Sequence, residues 1–103
     1  MNIVIGIYNV TSMNKIILDY NQKLVFFNGN HKQFDINKLN KFMLAIMSIT
    51  TKWEKQYKNN YIMDSTYYVI ELLGKKLIVD GEYPENFNLM SDIIEMIEGE
   101  FYA

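Results

Sequence analysis

Twice along this chain a run of apolar residues spaced two apart gives way to a run spaced near 3.6. Few architectures bury both kinds of face at once. In residues 2–10, Ile3, Ile5 and Ile7 alternate with Val4, Gly6 and Tyr8, the pattern of a strand. The polar stretch Thr11-Ser12-Met13-Asn14 breaks it, and residues 15–19 and 23–28 then flank Tyr20-Asn21-Gln22. Asparagine tolerates left-handed backbone, so a hairpin centred on Asn21-Gln22 is expected. Pairing outward from that turn puts Ile16, Leu18, Val25 and Phe27 on one face, with Ile17, Asp19, Leu24 and Phe26 on the other.

The first helical pattern follows Asp35, whose carboxylate suits the free amides of a first turn. Apolar residues recur at Leu39, Phe42, Met43, Ile46, Met47, Trp53 and Tyr57, and Lys52, Lys55 and Lys58 crowd the expected end before Asn59-Asn60. Ile49, Thr50 and Thr51 are the weak point, because β-branched side chains loosen a helix. A second hairpin is expected from residues 66–72 and 76–80 around Gly74-Lys75, read as a type II′ turn. It sets Tyr68, Ile70, Leu72, Leu77 and Val79 against Tyr67, Val69, Glu71, Ile78 and Asp80. After Asp80-Gly81, Pro84 suits the first turn of a second helix. Phe87, Met90, Ile93, Ile94 and Ile97 form its apolar stripe and Gly99 its end. The expected fold class is α+β: an antiparallel sheet of about five strands, ordered β-β-β-α-β-β-α, with two helices packed on one face.

At 103 residues, with no repeat, low-complexity tract or linker, residues 1–103 form one expected domain. Half of the residues are hydrophobic, enough to offset the ordering entropy of a folded core. The absence of cysteine excludes disulfides and thiolate metal sites. No apolar run reaches about 18 residues, and the first seven residues lack the basic start of a signal peptide. A cytoplasmic setting is therefore expected, with Met13 as an alternative start to Met1. All ten basic residues are lysines, and twelve Asn and fourteen Ile point to AT-rich coding, hence a low-GC bacterium or its phage. Seven acids and no lysine fall between Asp80 and Ala103, leaving that segment near −7 and the preceding 79 residues near +5.

Three stretches together carry a resemblance: Trp53-x3-Tyr57, Asp64-Ser65-Thr66-x-Tyr68, and Gly81-x-Tyr83-Pro84-Glu85-Asn86-Phe87. Over roughly residues 38–98 the chain resembles a group of small, largely uncharacterised bacterial and phage proteins. Their W-x3-Y helix end precedes D-G-T-x-W-x-L-x-I, and Y-P-x-N-F opens their last helix. The chain departs from that pattern at Ser65, where Gly is usual, and at Tyr68, where Trp is usual. The resemblance implies architecture rather than activity: Tyr68, Ile70 and Leu72 face the core, Asp64 closes a turn and Pro84 starts a helix.

No catalytic constellation emerges from the residues. His31 is the only histidine and sits in the polar run Asn28-Gly29-Asn30-His31-Lys32, read as a solvated loop. No Walker, G-x-G-x-x-G or nucleophile-elbow motif occurs. Asp92, Glu95 and Glu98 share one side of the second helix at three-residue spacing, where a solvated face outweighs a metal site. Lys52, Lys55, Lys58, Lys75 and Lys76 form only a modest basic cluster without arginine, so direct nucleic-acid binding is not expected. No cofactor or metal is expected.

Two surface features point to binding instead. Glu95, Glu98 and Glu100 stand at the negative end of the second helix, where acids are unfavourable unless Lys75 and Lys76 or a basic partner offset them. The outer sheet face presents Ile17, Leu24, Phe26, Tyr67, Val69 and Ile78, rather apolar for a face in water. The alternatives there are cover by the first strand or by Phe101-Tyr102, or a register slip of one. The expectation is a non-enzymatic acidic inhibitor that blocks a basic nucleic-acid-handling enzyme. Its setting would be toxin immunity or phage anti-defence, for example against a CRISPR effector. The expected partner-binding residues are Asp92, Glu95, Glu98, Glu100, Phe26, Tyr67, Val69 and Ile78. The competing expectation is a homodimer formed through the outer sheet face.

Overall fold

In the computed structural model, which describes residues 1–59 and 66–102, the first strand lies at the centre of the sheet. Strand β1 (Asn2–Asn9) pairs antiparallel with β2 (Met13–Asp19) on one side and with β6 (Thr66–Leu72) on the other. Outward from β2 lie β3 (Leu24–Phe27) and β4 (Asn30–Gln33). Outward from β6 lie β7 (Lys75–Asp80) and β5 (Gln56–Lys58), which runs parallel to β7. The sheet order is β4-β3-β2-β1-β6-β7-β5, seven strands where about five are expected. Helices α1 (Ile36–Thr50) and α2 (Phe87–Tyr102) complete an α+β architecture.

Side-chain alternation sorts the sheet into two faces. Ile3, Ile5, Ile16, Leu18, Val25, Phe27, Ile70, Leu72 and Leu77 join Leu39, Met43, Ile46, Met90, Ile93, Ile94 and Ile97 in one buried cluster. Both helices therefore pack on this face. The first hairpin has the expected register, with Ile16 opposite Phe27 and Leu18 opposite Val25. Its left-handed residue is Lys23 (φ 57°) rather than Asn21 or Gln22.

The second hairpin differs from expectation. Leu72 pairs with Lys75 and Ile70 with Leu77, so the turn residues are Leu73-Gly74, not Gly74-Lys75. Both have positive φ (50° and 73°), the requirement of a type I′ turn rather than type II′. The shift is two residues, so every side chain keeps the face expected for it. Leucine is strained in that region, at about 1–2 kcal/mol, whereas asparagine tolerates it. Leu73 is exposed and offers little packing in return. Leu73→Asn, creating the favoured Asn-Gly pair, is expected to stabilise the fold by about 1 kcal/mol in thermal or urea unfolding.

Other boundaries also move. The polar run around His31 is strand β4, not a loop, joined to β3 by Asn28-Gly29 with φ of 51° and 87°. Met13 and Asn14 belong to β2, and the break before it is an Asx turn in which Asn9 Oδ1 accepts from the amides of Thr11 and Ser12. Helix α1 stops at Thr50, seven residues before Tyr57. Thr50 Oγ1 donates to the Ile46 carbonyl and Thr51 Oγ1 to that of Met47, so hydroxyls occupy last-turn acceptors. Asp35 precedes α1 without a side-chain cap; its carbonyl accepts from Leu39 N. Lys52, Lys55 and Lys58 lie beyond the helix, Lys58 on β5. Pro84 does not open α2 but starts a turn, its carbonyl accepting from Phe87 N, with Asn86 left-handed at φ 65°. Gly99 lies inside α2, which continues so that Phe101 and Tyr102 reach Phe27 on the helix-covered face. Asn60, Asp64 and Ser65 lie outside the described residues, and with them the turn expected at Asp64.

Candidate binding surfaces

No described residue covers the face away from the helices. Its rows follow from the pairing: Leu24 beside Asp19; Phe26, Ile17, Val4, Glu71 and Lys76 in succession; Lys15, Gly6, Val69, Ile78 and Gln56; then Tyr8, Tyr67, Asp80 and Lys58. Neither alternative cover is present among the described residues. β1 adds Val4 and Tyr8 to this face instead of hiding it, and Phe101 and Tyr102 sit on the other side. Phe26, Val69 and Ile78 are half-buried by their neighbours, while Tyr67 is 41% exposed.

Two features give this face relief. The Tyr8 ring leans over Gly6 so closely that a Cβ there would stand 2.6 Å from it, so a side chain at this position would have to displace the ring. Tyr67 stacks on Tyr8 with ring centroids 4.9 Å apart and planes within 15°. Beyond the stack a groove of about 450 Å³ runs over Val69 and Ile78 toward Gln56 and Lys58 of β5. His31 points to the same face at the β4 edge, its ring 5.9 Å from Phe26. Charge on the face is balanced: Lys15, Lys58 and Lys76 against Asp19, Glu71 and Asp80.

The acidic residues lie on the opposite side of the molecule. Asp92 and Glu95 are exposed on α2 and Glu98 is half-buried. Glu82 and Glu85, exposed in the preceding loop, extend the acidic character. The eight expected partner-binding residues thus divide between two surfaces separated by the thickness of the domain. Glu100 is compensated internally, though not by Lys75 or Lys76: Lys38 of α1 forms an ion pair with its carboxylate, and Lys32 Nζ donates to its carbonyl at 2.7 Å. Lys75 and Lys76 are in the β6–β7 hairpin. The hydrogen bond from Lys38 holds the Glu100 carboxyl below its ordinary range, aided by the charges of Lys38 and Lys32.

Glu98 behaves oppositely. Burial, then the neighbouring Glu95 charge, raises its pKa. A carboxylate whose folded pKa is raised destabilises the fold above that pKa, and relief comes as pH falls through it. Glu98→Gln is therefore expected to melt higher than the parent at pH 7. The difference should shrink as pH approaches the ordinary carboxylate value of 4.5. Paired melts at pH 7 and 5 check it. A gap that stays constant would exclude titration of Glu98 as its source.

A third feature gathers the residues of the sequence motifs. Trp53 meets Tyr57 and Phe87 at centroid distances of 6.4 and 6.0 Å, and Phe87 meets Tyr68 at 4.9 Å and Tyr83 at 5.0 Å. Trp53 Nε1 donates to the Glu85 carbonyl at 3.0 Å. A cleft of about 540 Å³ flanks this cluster, between Ser48, Lys52, Trp53, Glu85 and Leu89. Sequence reasoning placed Tyr68 on the core face but missed the convergence, because Trp53 and Tyr57 fit a helical spacing.

Among the described residues no three His, Asp or Glu side chains gather as a metal site needs, and no helix is long and apolar enough to cross a membrane. Compared with protein-family models, with curated proteins and with solved structures, the chain matches none.

Proposed function

We propose that the protein is a non-enzymatic inhibitor that docks on a basic, nucleic-acid-handling enzyme through the acidic outer side of α2. One observation carries this reading: α2 and the loop before it carry exposed acids and no lysine, whereas the sheet face mixes both signs. Residues 80–103 contain seven acids and no lysine. Of these, Asp80 is turned to the sheet face and Glu100 is held by Lys38; Glu85 shares a cleft with Lys52, and Glu82, Asp92, Glu95 and Glu98 are the remaining acids of that segment. Glu95 and Glu98 repel each other at the negative end of a helix, a cost of a few tenths of a kcal/mol to about 1 kcal/mol each that an approaching cationic channel would turn into attraction. Such a surface can occupy a site shaped for phosphates and speeds encounter with it.

The test is affinity capture from the native host, comparing the parent with Glu95→Lys plus Glu98→Lys. Lysine suits a helix C-terminus, so the double variant should fold and melt no lower than the parent. The parent is expected to retain a basic nucleic-acid-processing enzyme at low salt and release it as salt rises. The variant should bind that enzyme at least tenfold more weakly. Equal retention of the same protein by both would overturn the reading.

A further inference from the structure

We infer that the open sheet face is a self-docking surface on which a second copy of this chain sits, leaving both α2 surfaces pointing outward. Three observations carry the inference.

The first is charge. In a two-fold pair each patch meets its own copy, so a face of one sign repels itself, whereas a face of mixed sign can place each cation near an anion. Lys15, Lys58 and Lys76 against Asp19, Glu71 and Asp80 meet that condition. The balance also argues against a nucleic acid, which needs uncompensated lysines. It argues equally against a strongly basic protein, for which the α2 side is the better match.

The second is composition. Val4, Ile17, Phe26, Tyr67, Val69 and Ile78 give the face apolar and aromatic area, with Lys15 and Glu71 set among them beside β1 and Asp19, Lys58, Lys76 and Asp80 toward the margins. Aromatic and apolar area interleaved with a few charges of both signs suits a non-obligate protein interface. Tyr8 and Tyr67 are already stacked on each other, so little side-chain freedom remains to be lost on docking.

The third is area. Seven strands spaced about 4.8 Å apart span about 29 Å, and four side-chain rows span about 20 Å along the strands. Two such footprints total roughly 1,200 Å², at the lower end of a specific interface.

Sedimentation equilibrium of the full chain at about 100 μM, a concentration that populates a dimer of micromolar Kd, tests the inference. The parent is expected at twice the mass of one chain. Phe26→Lys and Tyr67→Lys should each sediment as single chains with an unchanged far-ultraviolet spectrum. If the half-buried Phe26 site does not accept lysine, the more exposed Tyr67 position decides. Glu95→Lys plus Glu98→Lys should remain dimeric, which separates this inference from the proposed inhibition. A parent that sediments as one chain at that concentration overturns it. So does a dimer that survives Tyr67→Lys, or one lost in the α2 variant.

Discussion

Ile5→Ala is expected to cost about 3–4 kcal/mol and to lower the melting temperature by roughly 15–25 °C. Ile5 is fully buried on the strand that joins the two halves of the sheet. It pairs with Ile16 on β2 and with Ile70 on β6, and these pair in turn with Phe27 and Leu77. One apolar row therefore crosses five strands with Ile5 in the middle, closed from above by the helices. Truncation there leaves a cavity that neither neighbouring strand can close without breaking its own ladder. A matched substitution on the preceding residue sharpens the test. Val4 is half-exposed on the open face, and Val4→Ala should cost less than about 1 kcal/mol. Urea unfolding of the two variants checks both figures. Equal costs would mean that the alternation of β1 does not assign its faces as described, since a slip of one residue exchanges them.

The faces of both hairpins were legible in the sequence because alternation fixes parity, and parity survives an error of two. The Leu73-Gly74 turn shows this: the expected turn type and partners were different, yet Tyr67, Val69 and Ile78 still fall on the open face. What escaped has identifiable physical reasons. β4 carries four exposed polar residues and no hydrophobic pattern. Its one signal was Asn28-Gly29, the favoured type I′ pair, directly after an apolar strand. β5 is three residues long and parallel to a strand some twenty residues away, so no local pattern specifies it. The end of α1 was obscured because Trp53 and Tyr57 continue a helical spacing, although they leave the helix for an aromatic cluster. The β-branched Ile49-Thr50-Thr51 marked the true end. For the candidate surfaces, the sequence showed that acids and apolar sheet residues were both available. It did not show that they lie on opposite sides of the domain. Nor did it show that Lys32 and Lys38, rather than Lys75 and Lys76, meet Glu100, since both contacts are long-range.

The aromatic cluster makes the second large prediction. Trp53→Ala is expected to cost about 3 kcal/mol, and Trp53→Phe about 1 kcal/mol. The alanine variant loses ring contact with Tyr57 and Phe87 together with the donor to the Glu85 carbonyl. The phenylalanine variant keeps most of the ring contact and loses the hydrogen bond. Calorimetric unfolding of both variants separates packing from hydrogen bonding, and equal costs would assign the whole effect to the bond. The consequence reaches beyond stability. Trp53 ties the segment after α1 to the loop that enters α2, and that loop holds Glu85 beside the left-handed Asn86. Amide exchange should therefore quicken across residues 82–90 in Trp53→Ala more than in the core strands, because the loop loses its anchor while the Ile5 row remains intact. If the α2 surface is what a partner meets, the same variant should also bind more weakly without any change in the charges that face the partner. A stability defect and a binding defect would then share one cause, the aim of the first turn of α2.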